Sequence, residues 1–203
     1  EVHHCEYNVE LSQIAAHNAS RLHADNIFFH PVDGVAYLTS LNHAMFGTIY
    51  VDPSRRVKQQ KVFRLQDCEP DVVGQLSLFL TKAEKVLIKA APLLDIKAAL
   101  KDLQYVKEVH IVSTQNECKE LLFLLESNYT KTTDYLCIAL DQEEEKLFKF
   151  TEQQEQESKP NFSNPRKYIY EPDAALLKAG CFKYTAIAFN LCKLHQHTHL
   201  YTS

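Results

Sequence analysis

Residues 48–56 read Thr-Ile-Tyr-Val-Asp-Pro-Ser-Arg-Arg. Thr48 to Val51 is rich in β-branched and aromatic side chains, the composition of a buried strand. The run halts at Asp52 and Pro53, and Arg55 and Arg56 follow at once. In open α/β sheets, ligands bind in the crevice outside the carboxyl ends of the strands. A carboxylate, a stiff proline and two cations at a strand end therefore mark a candidate site.

Working outward from this stretch, the same punctuation recurs. Val2 to Cys5 is strand-like and Glu6 ends it; Ile27 to Phe29 begins a second strand that ends near Asp33; Lys85 to Ala90 is another, with Lys89 near its end. Between them lie helical patterns. Apolar residues at 11, 14, 15, 19 and 22 predict a helix from Val9 to Leu22, with Asn8 as its N-cap and Glu10 in its first turn. Shorter helices are predicted at 35–41, 70–81 and 95–103, and strands at 106–114 and 120–126. The last two form a hairpin around Gln115-Asn116-Glu117. Alternating strand and helix over 1–114 predicts an α/β fold, a mostly parallel sheet with helices on both faces.

After Ser127 the texture changes. Tyr135–Asp141 and Lys146–Thr151 form a predicted hairpin, and 152–165 is polar and proline-bearing, hence read as a linker or mobile loop. A helix begins at Pro172-Asp173, Gly180 caps or breaks it, and the last residues are again strand-like. The predicted division is 1–129 for the sheet domain and 130–203 for a small α+β companion.

The bulk numbers restrict function. With 203 residues, 45% apolar and 24% charged, the chain is an ordinary globular one rather than largely disordered. A formal charge of −4 gives no global attraction to nucleic acid, so any such contact needs a local basic patch. Residues 166–203 supply one candidate: Arg166, Lys167, Lys178, Lys183 and Lys193 against only Glu171 and Asp173. Six cysteines at 5, 68, 118, 137, 181 and 192 form no CxxC pair, which suggests reduced thiols in a cytoplasmic protein. Neither Cys68 nor Cys118 has a recognisable nucleophile setting. His195, His197 and His199 alternate as strand residues do, but with no further ligand set no metal site is expected. No apolar run approaches the roughly 18 residues of a membrane span. The four glycines at 34, 47, 74 and 180 form no GxGxxG loop.

Three acids at successive strand ends suit a nucleoside: one for paired ribose hydroxyls, the next for an exocyclic amine. Each also suits plain helix N-capping. Here a family resemblance enters. HCEYNVELSQIAAHN (4–18) resembles the acidic second motif of class I S-adenosylmethionine-dependent methyltransferases, and VDPSRR (51–56) resembles their fourth. With VFRLQDCEPDVV (62–73), KVLIKAAPLLDI (85–96), VHIVSTQNECKELLFLL (109–125) and YIYEPDAALLKAGCFK (168–183), the order of motifs is similar to that of a Bacteroidetes-type bacterial group. That group carries a C-terminal THUMP-like, ferredoxin-like domain.

The resemblance implies a Rossmann-like sheet, S-adenosylmethionine as cofactor and RNA as substrate. It implies that Glu6 holds the ribose hydroxyls, Asp33 the adenine side, and Asp52 with Pro53 the pocket where the methyl group leaves. Arg55, Arg56 and Lys89 would meet a substrate phosphate; alternatively one arginine pairs with Asp67 or Glu69. Ser54 and Arg55 stand where base-nitrogen methyltransferases carry a proline and an aromatic, so a flipped base would lack its stacking partner. The glycine-rich first motif precedes the acidic one in this family and is expected before residue 1. The sheet is then expected to lack its central strand, leaving 2–5 and 48–51 without a ladder between them. The alternative function is a degenerate methyltransferase fold that binds RNA or a partner without catalysis.

Overall fold

The computed structural model describes residues 1–42, 46–54, 56–57, 60–61, 64–141 and 145–203. In chain order β1 (Val2–Cys5), α1 (Val9–Arg21), β2 (Ile27–His30), α2 (Gly34–Ser40) and β3 (Phe46–Val51) come first. A short antiparallel pair, β4 (Arg56–Val57) and β5 (Gln60–Lys61), is followed by a 3-10 turn (Leu65–Asp67) and α3 (Val72–Lys82). Then come β6 (Ala83–Ala90), α4 (Ile96–Asp102), β7 (Val106–Thr114), β8 (Glu117–Glu126), β9 (Asp134–Leu140) and β10 (Glu145–Thr151). The rest is α5 (Glu152–Glu157), β11 (Ile169–Tyr170), α6 (Ala174–Ala179), α7 (Lys183–Ala188), β12 (Cys192–Lys193) and β13 (Tyr201–Thr202).

Local chemistry sets most of these boundaries. The side chains of Asn8, Asp33, Asp71 and Asp95 each accept a backbone N–H from the first turn of the helix that follows, satisfying donors a helix start leaves unpaired. Gly180 ends α6 at φ 74°, the left-handed conformation that costs glycine least. Along α3, Val72, Leu76 and Phe79 are buried, one stripe of a helix lying on the sheet.

The main sheet has the order β10-β9-β7-β8-β6-β3. β3 runs parallel to β6 and β7 parallel to β9, but β8 inserts antiparallel between β6 and β7. The expected mostly parallel sheet is thus a mixed one, because the 106–126 hairpin folds inward and lays β8 against β6. That position suits β8: Leu121, Phe123 and Leu125 are fully buried there and meet Val86, Ile88, Val109 and Ile111 in the core. β9 and β10, which lie beyond residue 129, extend this same sheet.

β1 and β2 form a separate parallel pair. Among the described residues no ladder joins β1 to β3, as expected for 2–5 and 48–51. The pair is tied to the body through α2. Tyr37 Oη lies 2.7 Å from His3 Nδ1, and the His3 ring meets Phe46 of β3 edge-on at 5.4 Å.

One expectation fails outright. Residues 152–157 are helix, not linker. Thr151 and Gln154 form a reciprocal capping box, and Glu155 accepts the N–H groups of Lys183 (2.9 Å) and Tyr184 (2.9 Å) at the start of α7. The C-terminal sheet is antiparallel, in the order β11-β13-β12. It connects to the main body through Asp173, which accepts a 2.6 Å hydrogen bond from Ser113 Oγ on β7.

Candidate functional site

β3 ends where the opening stretch said it would. Val51 is buried opposite Ile88, and the next residue, Asp52, turns out into solvent. On β6, Val86 and Ile88 face the core, so Lys89 faces the other way. Its ammonium donates to Asp52 Oδ2 at 2.9 Å and pairs with Glu120, at the start of β8, at 3.4 Å. The bond to Asp52 is the main reason the Lys89 pKa is raised above its ordinary value. One cation is thus shared by two carboxylates drawn from separate strands.

Pro53 is buried, and Ser54 forms a two-bond backbone bridge with Glu69: Ser54 N–H donates to Glu69 O at 2.8 Å and Glu69 N–H to Ser54 O at 3.1 Å. This bridge carries the segment 64–68 across the strand ends. Between that segment and the β6–α4 loop lies a cleft of about 30 Å³, lined by Asp52, Pro53, Lys89, Arg64, Cys68 and Leu94 among others. Its size is that of a water site rather than a cofactor pocket. Arg64 is exposed at its edge. Tyr50 is 56% exposed beside the cluster, and its phenol pKa is pushed up by burial of part of the ring and by the Asp52 charge.

The structure therefore brings Asp52, Pro53 and Lys89 together. Glu6 and Asp33 lie at the ends of β1 and β2, and among the described residues no hydrogen bond or ion pair joins either to Asp52. Glu6 Oε1 accepts the Asn8 N–H at 2.8 Å, and Asp33 Oδ1 accepts the Ala36 N–H at 2.8 Å. Asp33 thus caps α2, whereas Glu6 braces Asn8, the residue whose side chain caps α1. Arg55 lies outside the described residues, as does the Arg56 side chain. Sequence reading missed Glu120, Arg64 and Tyr50. Glu120 was hidden inside an apolar run, and Arg64 reaches the cleft only through the Ser54–Glu69 bridge.

Other expectations are modified. Lys193, counted among the cations of the C-terminal patch, is only 2% exposed, with the rings of Phe182 and Tyr201 each 5.7 Å from its ammonium. It adds nothing to a basic surface. Cys118 has its thiol pKa raised by burial, which suppresses the reactive thiolate. His199 stacks on Phe182 at 3.9 Å, and among the described residues no group of three or more His, Cys, Asp or Glu is placed to hold a metal ion. Among the same residues no helix is long and apolar enough to cross a membrane.

Comparison with known proteins adds two findings. Residues 168–203 match a family of ferredoxin-like domains. The crystal structure of a "putative methyltransferase from Porphyromonas gingivalis W83" superposes with a TM-score of 0.87 at 33% identity. That match covers 99% of this chain and 51% of that one, so the chain spans about half the length of the protein it resembles. No curated protein matches the chain.

Proposed function

We propose that this chain forms part of a cytoplasmic, S-adenosylmethionine-dependent methyltransferase that acts on RNA. The observation that carries the proposal is the match to the Porphyromonas gingivalis structure over 99% of the chain. The strand arrangement supports it. A separate β1-β2 pair, with β3 at the edge of the main sheet, is what the family resemblance implies if one further strand lies between β1 and β3. Six free cysteines suit a reducing compartment.

The residues present fit the nucleoside half of the cofactor. Glu6 and Asp33 close two adjacent parallel strands at the same end. Glu6 uses only Oε1 on the Asn8 N–H among the described residues, which leaves Oε2 for a ribose hydroxyl. The chain's own glycines, at 34, 47, 74 and 180, build no cradle for the methionine half. When bound, the cofactor supplies an electrophilic methyl group. Asp52 orients the acceptor or takes its proton, Lys89 holds the Asp52 carboxylate in place through its hydrogen bond, and buried Pro53 fixes the turn that aims it. Arg55, Arg56 and Lys89 are proposed to meet the substrate phosphate, with Arg64 at the cleft edge in support.

Calorimetry of the full-length protein against S-adenosylmethionine tests the cofactor. We expect binding that Glu6→Ala weakens at least tenfold, and no binding at all would sink the reading. Methyl incorporation into RNA, lost in Asp52→Asn, tests the substrate. The clamp of Lys89 on Asp52 favours a second reading, in which the fold binds RNA without catalysis. RNA binding with no methyl incorporation would select it.

A further inference from the structure

At the rim of the main sheet opposite Asp52, a cavity of about 350 Å³ opens between the end of α4, the β8–β9 loop and the start of α5. That volume lies within the range of small-molecule sites. Leu100, Leu103 and Val106 give it an apolar floor.

Tyr135 is the informative group. It is 3% exposed and its ring stacks on Phe150 at 4.9 Å, yet its hydroxyl makes no hydrogen bond to any described residue. No buried side-chain polar atom among the described residues lacks a partner. The hydroxyl must therefore reach the cavity that Tyr135 lines. A phenol whose ring is buried and whose hydroxyl opens on an apolar-floored cavity presents a positioned donor to whatever occupies it.

The walls are preformed. Tyr105 holds φ 61°, a left-handed conformation that is strained for a bulky residue. Its carbonyl is pinned there by the Glu126 N–H at 3.1 Å. Such strain persists where surrounding structure over-determines it, commonly at ligand clamps. Tyr129 closes the facing loop on itself, its hydroxyl donating to Thr132 O at 3.0 Å. Thr130 and Thr132 line the same cavity.

The lining carries one cation, Lys131, and one carboxylate, Glu152, whose partner Lys97 lies outside it. Three neighbouring carboxylates are already paired: Glu126 with Lys107 at 2.7 Å, Asp134 with Lys149 at 2.7 Å and Glu152 with Lys97 at 3.7 Å. Lys131 lines the cavity, makes no ion pair among the described residues, and acts on Glu126 only as a more distant charge. Two tyrosine rings, a donor with no acceptor among the described residues, two threonines and an ammonium with no ion pair among them describe a ligand with a flat polar ring and an anionic group.

We propose that this cavity binds a nucleotide. The base lies against Tyr105 and Tyr129 and accepts the Tyr135 hydroxyl at a ring nitrogen or carbonyl. The ribose meets the threonine hydroxyls and the phosphate meets Lys131. The nucleotide is either a free monophosphate or the 5′-terminal residue of an RNA. None of these residues belongs to the Asp52 cleft, so the proposal stands apart from the methyltransferase reading.

The test is amide-resolved NMR titration of the full-length protein with AMP, GMP, CMP and UMP, and with ribose 5-phosphate. We expect at least one monophosphate to shift amides in 103–106 and 127–135, with ribose 5-phosphate at least tenfold weaker. Tyr135→Phe should weaken binding about tenfold, the value of one buried hydrogen bond. It should leave the Tm unchanged, because that hydroxyl bonds no described residue. Lys131→Ala should bring AMP down to the affinity of adenosine. A 5′-phosphorylated pentanucleotide that binds more tightly than every monophosphate at the same amides identifies the RNA end; equal or weaker binding identifies the free nucleotide. The proposal is overturned if no monophosphate shifts these amides, if ribose 5-phosphate binds as well, or if Tyr135→Phe binds like the wild type.

Discussion

Raising the pH from 8 to 10.5 is expected to destabilise the fold, and Cys181 shows by how much. The residue is 0% exposed, and burial pushes its thiol up from 9.0 to about 12. In the unfolded chain this thiol gives up its proton above pH 9; in the folded protein it keeps the proton to about 12. Within that window the unfolded state binds fewer protons, so stability falls as pH rises. Each pH unit beyond 9 costs about 1.4 kcal/mol, so by pH 10.5 this one thiol contributes a loss of roughly 2 kcal/mol. Cys137, also raised by burial, adds a loss of the same sign. Lys193 runs the other way: burial lowers its pKa, so its folded form gains stability as pH rises towards 10.5. The comparison that isolates the thiol is urea unfolding of wild type and Cys181→Ala at pH 8 and 10.5, under reductant. The variant should be the less stable at pH 8 and should escape about 2 kcal/mol of the alkaline loss. An equal alkaline loss in both proteins would refute the reasoning.

Three further outcomes are expected. Lys89→Met removes the cation shared by Asp52 and Glu120; the side chain is 29% exposed, so the pairs are of the partly solvated kind and urea unfolding should register a loss of less than about 1 kcal/mol. Phe123→Ala empties a fully buried position on β8, between β6 and β7. Chemical denaturation should show a loss of about 3–5 kcal/mol, and a loss near 1 would mean that β8 is not central to the core. Thr151→Ala removes half of the capping box of α5 and should cost about 1 kcal/mol, with faster amide exchange confined to 152–157; unchanged exchange would show that the contacts of Glu155 alone hold the helix.

Much of the architecture was legible from local signals. Capping acids and asparagine, the 3.6-residue spacing in 9–22 and the β-branched runs named the helices and strands to within a few residues. They did so because each signal and its structural consequence lie within one turn or one strand. The linker reading of 152–157 failed for the complementary reason. Glu-Gln-Gln-Glu-Gln-Glu has no apolar stripe and α5 buries no residue; what docks it is a carboxylate 28 residues away from the amide it accepts. Polar composition says that a segment need not pack, but it is silent on whether a distant backbone needs a cap.

The candidate site divides along the same line. That Asp52 closes a buried strand beside a proline follows from the sequence alone, since an apolar run must reach solvent somewhere and this one does so on a carboxylate. That Lys89 holds Asp52 and Glu120 together is a tertiary fact. It depends on β6 pairing with β3 on one side and β8 on the other, across 37 residues of chain between Asp52 and Lys89. The inward fold of β8, the burial of Lys193 between two rings and the unpartnered hydroxyl of Tyr135 are of the same kind. Each is decided by which strand lies beside which, and side-chain periodicity, which specifies only the face a residue takes, carries no information about that neighbour.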